Sequence, residues 1–307
     1  MVMSLSVLSG CDKENTPETT STAVNTLSPI EINGEVLTIS DSSAEAAELS
    51  DYPIIINNTV IAEKPETAIC LSSSLTEIIY ELGYDSRLIG RGSYCEYPEA
   101  IKSLPDFGRP SAPDLEAVKK ASPDVLITAT AIPNIDAVAL SDLGIKVVHI
   151  PAPHSVEEFG RIYKAVGMIF DGLFEGEEKG NKAFSDIRAT LETSSLSLGN
   201  FIYVTEGLSV AGSDTFENAV LSLFGTNAAG NTSGYSAVKD ISPDIQPDVV
   251  IISNSLSSGE VTSDSTLGSL SAVKSGNILR IDNSYFENPS GQIVKIIKEL
   301  SETGETP

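Results

Sequence analysis

The chain has 307 residues and a formal net charge of −24, from 43 acidic and 19 basic side chains. Its 41% hydrophobic content is that of an ordinary globular protein, and its length allows two medium-sized domains, each with its own core. The acidic excess excludes the basic surface that nucleic-acid binding requires, and it opposes adsorption to an anionic membrane.

The amino terminus has the features of a membrane-tethered protein. Its first residues are apolar or small, and Leu8-Ser9-Gly10-Cys11 resembles the lipobox of bacterial lipoproteins, whose cysteine is acylated after the preceding peptide is removed. Residues 12–29 are rich in Thr, Ser, Glu and Asn, which cannot bury enough apolar surface to fold. We therefore predict that residues 1–29 are a lipoprotein signal remnant and a disordered tether, with a lipid anchor at Cys11. The alternative is a disordered tail that contains a cysteine by chance.

Strand and helix patterns follow from residue 30 onward. Two hairpins come first, with turns at Asn33-Gly34 and Asn57-Asn58. A buried strand over 68–71 then leads into a helix for which Ser74 and Glu77 have the spacing of a capping box. Strands that alternate with helices in this way predict a parallel sheet. Further strands are predicted at 87–90, 124–128 and 146–150.

Sequence patterns of the first half recur in the second. Pro123-Asp124-Val125 is echoed by Pro247-Asp248-Val249, and residues 143–150 are echoed by 274–281 at a similar spacing. The segment between the two copies has no strand pattern, and its two helical patterns break near Asp171-Gly172.

These patterns predict an α/β fold with two Rossmann-like lobes, each on a parallel sheet, joined by a long helical connector. The predicted bounds are 30–154 for the N-terminal lobe, 155–198 for the connector and 199–307 for the C-terminal lobe. In such a pair, the loops at the carboxyl ends of the strands face one another across a cleft, which is the usual ligand site.

One stretch of the first lobe resembles a known family. The resemblance is carried by three segments in order: residues 94–100 (Tyr-Cys-Glu-Tyr-Pro-Glu-Ala), Phe107-Gly108-Arg109-Pro110 and Pro113-Asp114-Leu115-Glu116. Their order and spacing are similar to those of the helical-backbone class of periplasmic binding proteins, and of its cobalamin-binding members in particular. Residues 212–227 and 284–290 resemble the same subgroup. The resemblance covers roughly residues 54–300.

The resemblance implies an extracytoplasmic, lipid-anchored solute-binding protein of a bacterial ABC importer, not an enzyme. Such a protein would capture a corrinoid in the cleft without a cofactor, and would deliver it as a monomer to the permease and ATPase. A ferric siderophore or haem is the alternative ligand. An α/β hydrolase is a distant alternative, because the chain has neither a GxSxG elbow nor a GxGxxG loop. A surface sensor or adhesin stays open, since fold alone does not fix function.

By the same resemblance, the ligand-binding residues lie on both sides of the cleft. A flat aromatic side chain such as Tyr94 suits a flat macrocycle, because it adds apolar contact without a charge to desolvate. Of the adjacent Tyr285 and Phe286, one is expected to face the cleft and the other the core. The predicted set is Ser73, Tyr94, Arg109, Pro110, Tyr235, Tyr285 and Phe286.

Two acidic residues are predicted to dock the permease. In the family, an exposed glutamate of each lobe pairs with arginines of the membrane partner, and the resemblance puts Glu116 in that role in the first lobe. In the second lobe, Asp244 matches the local sequence and Asp240 matches the spacing to Pro247; we favour Asp244. Such charge pairs mainly orient the complex and speed encounter.

The few cysteines and histidines do not predict a metal site. The chain has three cysteines and two histidines, too few ligands in the wrong spacing for zinc or manganese. Cys70 and Cys95 are expected to be buried thiols, with a disulfide between them as the alternative.

Overall fold

The structure is a computed structural model that describes residues 31–32, 35–36 and 50–302. The predicted tether and the predicted lipid anchor at Cys11 lie outside the described residues. Strand β1 (Glu31–Ile32) pairs antiparallel with β2 (Glu35–Val36), which confirms the hairpin predicted at Asn33-Gly34.

The second predicted hairpin is also present. Strand β3 (Ile54–Ile56) pairs antiparallel with β4 (Thr59–Ile61). The turn residues Asn57 and Asn58 have φ angles of 43° and 69°, in the left-handed region that asparagine tolerates better than most residues. The turn thus takes the conformation that its sequence favours.

The first lobe, which we call lobe one, is built on a four-stranded parallel sheet in the order β10–β9–β5–β6. Lobe one also contains a separate two-stranded antiparallel sheet, in which β7 pairs with β8. The strands are β5 (Ala68–Cys70), β6 (Leu88–Arg91), β7 (Gly108–Arg109), β8 (Ala112–Pro113), β9 (Val125–Thr128) and β10 (Lys146–His149). The helices are α1 (Ser73–Glu81), α2 (Leu115–Ala121) and α3 (Asn134–Ser141).

The connector consists of two helices that pack antiparallel. Helix α4 (Val156–Asp171) ends where the sequence predicts a break, a π-helical turn follows, and α5 (Glu177–Glu192) returns along α4. Glycines allow the two backbones to touch, since a Cβ on Gly167 would lie 2.1 Å from the carbonyl oxygen of Gly176. The close contact makes the connector a rigid element.

The second lobe, lobe two, is built on a mixed sheet in the order β14–β12–β11–β15–β16, with β13 beside the start of β11. Strand β12 runs antiparallel to both neighbours, a feature that the sequence pattern did not predict, whereas β15 and β16 run parallel to β11. The strands are β11 (Gly199–Thr205), β12 (Ser209–Ala211), β13 (Gly225–Asn227), β14 (Tyr235–Ala237), β15 (Val249–Ser253) and β16 (Ile278–Ile281). The helices are α6 (Phe216–Leu221), α7 (Ser258–Ser263), α8 (Ser271–Lys274), α9 (Ser284–Glu287) and α10 (Lys295–Glu302).

The repeated Pro-Asp-Val sequence has the same structural role in both lobes. In lobe one, a carboxylate oxygen of Asp124 accepts from the backbone N–H of Thr67, at 2.9 Å. In lobe two, Asp248 accepts from the backbone N–H of Asn200, at 2.8 Å. Each aspartate therefore joins the start of its own strand to the start of the neighbouring strand, which explains why the sequence repeats.

One apolar cluster connects the two sheets through the connector. Successive strand residues point to opposite faces, so that Cys70 and Ile127 face the connector whereas Ile69 and Leu126 pack on the other side of the sheet. The shared cluster contains Phe159 of α4 and the buried aromatic residues of lobe two. This packing, and the rigid connector, hold the two lobes in a fixed relation. The residue bounds predicted from the sequence for the two lobes and the connector stay predictions.

None of the helices within the described residues has both the length and the apolar character that a membrane crossing requires.

Candidate functional site

Lobe one presents an open aromatic ring beyond the carboxyl ends of β5 and β6. The Ser73 hydroxyl donates to the backbone carbonyl of Tyr94, at 2.7 Å, and so fixes the loop that carries the ring. Tyr94 is 61% exposed, and the guanidinium carbon of Arg109 lies 5.2 Å from its ring centroid. The structure therefore brings three predicted site residues together as a surface of one aromatic ring with a cation beside it.

Asp106 positions Arg109 and Pro110 relative to Tyr94. One of its carboxylate oxygens accepts from the Ser93 hydroxyl at 2.9 Å and from the Gly108 backbone N–H at 2.8 Å. The hydrogen bond from Gly108 is the main reason why the pKa of Asp106 lies below its usual range. Pro110 lies half-buried in the turn between β7 and β8. The ionised carboxylate thus joins the Tyr94 loop to this turn.

Lobe two presents a second open ring. Tyr235 begins β14 and is 57% exposed, and its hydroxyl lies 2.9 Å from each carboxylate oxygen of Glu217. Glu217 lies in the first turn of α6 and is only 7% exposed. Burial raises its pKa, and the hydrogen bond from Tyr235 opposes that rise. The sequence did not single out Glu217, because an acid in the first turn of a helix is also typical of simple helix capping.

The predicted pair on α9 divides between core and surface. Phe286 is 6% exposed and packs edge-on against Tyr203, with ring centroids 5.4 Å apart. Tyr285 is half-buried, and its hydroxyl donates to Glu299 on α10 at 3.1 Å. The structure therefore puts Phe286 in the core, and it leaves neither ring as open as those of Tyr94 and Tyr235.

A set of buried hydrogen bonds joins α1 of lobe one to the loop after α9 of lobe two; we call it the lobe bridge. The Ser74 hydroxyl donates to the carbonyl of Pro289 at 2.7 Å. Glu77 accepts from the Ser290 hydroxyl and from the Gln292 side-chain amide, each at 2.6 Å. These contacts span more than 200 residues of chain, and they join the two lobes directly.

Glu81 completes the lobe bridge. Its carboxylate accepts from the Gly291 backbone N–H at 2.9 Å and from the hydroxyl of Tyr163 on α4. Burial raises the pKa of Glu81, and the neighbouring charge of Glu77 adds to the rise. Burial likewise raises the pKa of Glu77.

The lobe bridge corrects the predicted capping box. The N-cap of α1 is Ser72, whose side chain accepts from the Leu75 backbone N–H. Ser74 and Glu77 instead lie inside the helix, where their side chains face lobe two. Sequence spacing could not distinguish the two roles, because the partners across the lobes are distant in the chain.

Aromatic packing in the core also joins the lobes. Phe159 of α4 packs edge-on against Phe216 of α6, with ring centroids 5.3 Å apart. His154, in the lobe-one loop before α4, lies near enough to Glu217 to lower its pKa slightly. We call the predicted space between the Tyr94 loop of lobe one and the Tyr235 loop of lobe two the cleft.

The predicted docking residues are all exposed. The Glu116 side chain is 86% exposed and forms an ion pair with Lys119 at 3.0 Å on α2. Asp240 and Asp244 are both exposed in lobe two, so exposure does not favour either residue. The role of Glu116 and the choice of Asp244 stay predictions.

The two described cysteines are buried free thiols, as expected, and the alternative disulfide is not formed. Cys70 and Cys95 are both 0% exposed, and the Thr76 hydroxyl lies 3.4 Å from the Cys95 sulfur. Burial raises the pKa of Cys70 to about 12. Within residues 50–302, no group of three or more His, Cys, Asp or Glu side chains is arranged to hold a metal ion.

A cavity of about 520 Å³ lies outside the cleft. It is enclosed by the β3–β4 hairpin, the loop before α4 and one face of α4. Its lining is mainly apolar, and the cations at its rim are already paired, Arg161 with Glu158 and Lys164 with Glu177. It therefore offers no free charge to fix a ligand.

Known proteins resemble this chain over most of its length. Residues 69–285 match a family model described as periplasmic binding protein. The ABC transporter substrate-binding lipoprotein YvrC of Bacillus subtilis strain 168, itself described as uncharacterized, is 23% identical over 274 residues, which cover 82% of this chain and 85% of YvrC. A cobalamin-binding protein of Halobacterium salinarum is 23% identical over 280 residues, which cover 84% of this chain and 76% of that protein.

A solved structure has the same fold. The possible iron-binding periplasmic solute-binding protein of Staphylococcus epidermidis ATCC 12228 superposes with a TM-score of 0.66 at 21% identity, covering 80% of this chain and 100% of that chain. At this identity the likeness shows the fold alone. The matching proteins named here are binding proteins and not enzymes.

Proposed function

The chain belongs to the periplasmic binding protein family, and we propose that it is the solute-binding subunit of an ABC importer that captures a corrinoid in the cleft. The observation that carries the ligand proposal is the pair of open rings, Tyr94 at 61% and Tyr235 at 57% exposure, one in each lobe. Exposed aromatic surface is costly in water, and a flat macrocycle between two such rings would cover both. The cobalamin-binding relative from Halobacterium salinarum supports the same ligand class.

The charges near the cleft favour a ligand with little negative charge. Arg109 beside Tyr94 has no ion pair within the described residues. Arg91, the other arginine of these loops, donates to the Gly92 carbonyl and lies 3.9 Å from Asp106. Anionic siderophores call for a cluster of free cations, so they fit these loops less well than a corrinoid does. Haem is the remaining alternative.

The proposal also includes the partners and the location. Glu116 in lobe one and Asp244 in lobe two would dock the permease, which acts with its ATPase, and the lipid on Cys11 would hold the protein outside the cytoplasm. The name of the YvrC relative, a substrate-binding lipoprotein, supports this arrangement. A rigid connector would allow only a small closing motion of the lobes on ligand binding.

Calorimetric titration of the purified protein with cyanocobalamin tests the ligand. We expect saturable binding, and we expect Tyr94→Ala to weaken it about tenfold or more because an aromatic contact is lost. The control is Leu143→Ala, an apolar side chain of similar exposure (55%) at the opposite edge of the sheet, before β10. Absence of binding at tens of micromolar cyanocobalamin would exclude the corrinoid.

An uptake assay tests the docking residues. In vesicles that contain the cognate permease and ATPase, Glu116→Ala should reduce cobalamin uptake while the Kd for cobalamin stays the same, because Glu116 lies on the outer surface of α2. Asp142→Ala, an exposed acid after α3, is the control and should leave uptake unchanged. Equal uptake by both variants would refute the docking role of Glu116.

A further inference from the structure

Glu217 is a buried carboxylate at the proposed cleft that forms no ion pair among residues 50–302; His154 of lobe one is near enough to act on its pKa. Its side-chain hydrogen-bond partner is the hydroxyl of Tyr235, at 2.9 Å. A carboxylate that is 7% exposed has lost most of its hydration, so it interacts strongly with any charge or donor that a ligand brings nearby. It is therefore suited to select among ligands by charge.

The hydrogen bond to Glu217 also determines which interactions Tyr235 can make with a ligand. Its hydroxyl proton is engaged with a carboxylate, which holds the ring in one orientation and raises the pKa of the phenol together with burial. A phenol must lose its proton to bind a ferric ion as a ligand. Tyr235 therefore presents an open ring for stacking, and it is a poor source of a phenolate for iron.

A second carboxylate extends the negative wall of lobe two. The Tyr203 hydroxyl donates to Asn283 at 2.5 Å, and the Asn283 amide donates to Glu287 at 2.6 Å. Glu287 is close enough to raise the pKa of Glu217, and within the described residues it too has no ion pair. In lobe one, the cation Arg109 lies beside Tyr94, and His154 lies near enough to Glu217 to act on its pKa. The Tyr235 wall of the proposed cleft thus carries two carboxylates, and the Tyr94 wall carries one arginine.

We infer that Glu217 is a specificity-determining residue: it positions Tyr235 as a stacking surface, and it favours macrocycles that bear neutral amide donors over macrocycles that bear carboxylates. This inference rests on the proposed function. Amide groups on the rim of a corrinoid are neutral, so the negative charges of Glu217 and Glu287 do not repel them. The two carboxylates of haem would face like charges there, and the ion pair that Arg109 offers lies on the other wall.

Two probes and one isosteric variant test the inference. We would measure Kd values of the wild-type protein and of Glu217→Gln for cyanocobalamin by calorimetry and for haemin by absorbance. Glutamine can still accept from Tyr235 through its carbonyl oxygen, so the ring position should be kept while the charge is removed. We expect the wild type to prefer cyanocobalamin. In the variant, haemin should bind about tenfold more tightly, and cyanocobalamin should change by less than about threefold.

Controls separate the local charge from other effects. Glu178→Gln removes one negative charge from the exposed face of α5, so it should leave the ratio of the two Kd values unchanged. Tyr235→Phe removes the hydroxyl that bonds Glu217 and so releases the ring, which should weaken cyanocobalamin binding, and circular dichroism would verify that each variant is folded. If Glu217→Gln unfolds, the selectivity of the wild type and the Tyr235→Phe data still test the inference.

Three results would overturn the inference. One is an equal change in both Kd values on Glu217→Gln, which indicates a merely structural role. Another is a wild-type preference for haemin. The third is a tyrosinate-to-iron absorption band in the haemin complex that disappears in Tyr235→Phe. In each of these cases the solute-binding function stands, whereas a wild type that binds neither probe refutes the proposed ligand classes together with the inference.

Discussion

The lobe bridge should make a measurable contribution to stability, and Glu77→Ala is the most direct perturbation. Glu77 is 6% exposed and accepts two side-chain hydrogen bonds from lobe two, from Ser290 and Gln292. Its removal leaves the Ser290 hydroxyl, 1% exposed, with no carboxylate to bond. Hydrogen bonds to a charged group contribute ~1.5–3 kcal/mol each, and an unsatisfied buried hydroxyl costs ~1–3 kcal/mol.

The burial cost of the carboxylate itself opposes this loss. Because burial raises the pKa of Glu77, the charged form is less stable in the folded protein than in water, and the substitution removes that cost. We therefore expect a net loss of about 2 kcal/mol in the free energy of unfolding, less than the sum of two charged hydrogen bonds. This loss corresponds to a fall in Tm of roughly 4–8 °C.

The pH dependence provides an independent check with a definite sign. For both Glu77 and Glu81, burial raises the folded-state pKa above 4.5, the ordinary value of a glutamate. The folded state therefore holds these protons more tightly, so the associated stability is fully present below pH 4.5 and is lost as pH rises through the raised values. In Glu77→Gln, which cannot ionise, the loss of stability with rising pH in this range should become smaller.

Urea denaturation followed by circular dichroism, from pH 4 to pH 8, would measure both effects. Glu99→Ala is the control, because the Glu99 side chain is 84% exposed and forms only a surface ion pair with Lys102. The lobe bridge does not couple the lobes as described if the free energies of unfolding of Glu77→Ala and Glu99→Ala differ by less than about 0.5 kcal/mol. The same conclusion follows if Glu77→Gln leaves the pH dependence of stability unchanged.

Three further predictions concern the connector, the thiols and the core. Gly167→Ala brings a Cβ to 2.1 Å from the carbonyl of Gly176, so it should cost about 2–3 kcal/mol in denaturant unfolding. Gly259→Ala in α7, whose Cβ would be in ordinary contact with the Ser257 Oγ at 3.8 Å, should be neutral or slightly stabilising. Cys70 and Cys95, both fully buried, should resist iodoacetamide at pH 8 in the folded protein and react after unfolding. Peptide mass spectrometry would detect the difference. Rapid alkylation of either thiol in the folded state would contradict their burial. Phe286→Ala should cost about 3–5 kcal/mol by thermal unfolding, and Tyr285→Phe less than about 1.5 kcal/mol; similar costs would contradict the division between core and surface.

Local patterns in the sequence were sufficient for the two hairpins, for the helix break in the connector and for the two-lobed plan. The turns at Asn33-Gly34 and Asn57-Asn58 depend on residues that tolerate positive φ, and the helix break at Asp171 depends on the glycine that follows it. The repeated Pro-Asp-Val predicted two similar halves, because each copy performs the same local task at the start of a strand. Such features involve neighbours in the chain or one periodic face, and periodicity is visible in a sequence.

The candidate site was only partly predictable for the same reason. The open rings of Tyr94 and Tyr235 could be anticipated by resemblance, but no pattern distinguished Phe286, which lies in the core, from its neighbour Tyr285. Antiparallel β12 was not visible either, because three residues are too few to indicate a direction.

By itself, then, the sequence determined that strands and helices alternate in two α/β lobes, that a helical connector lies between them, and to which family the chain belongs. Only the tertiary structure decided that Glu77 and Glu81 bond across the lobes, and that Glu217 lies buried behind Tyr235 at the cleft. The physical reason is that a carboxylate's role depends on the donors and the burial around it. Those surroundings are assembled from segments far apart in the chain, and no spacing within the sequence records them.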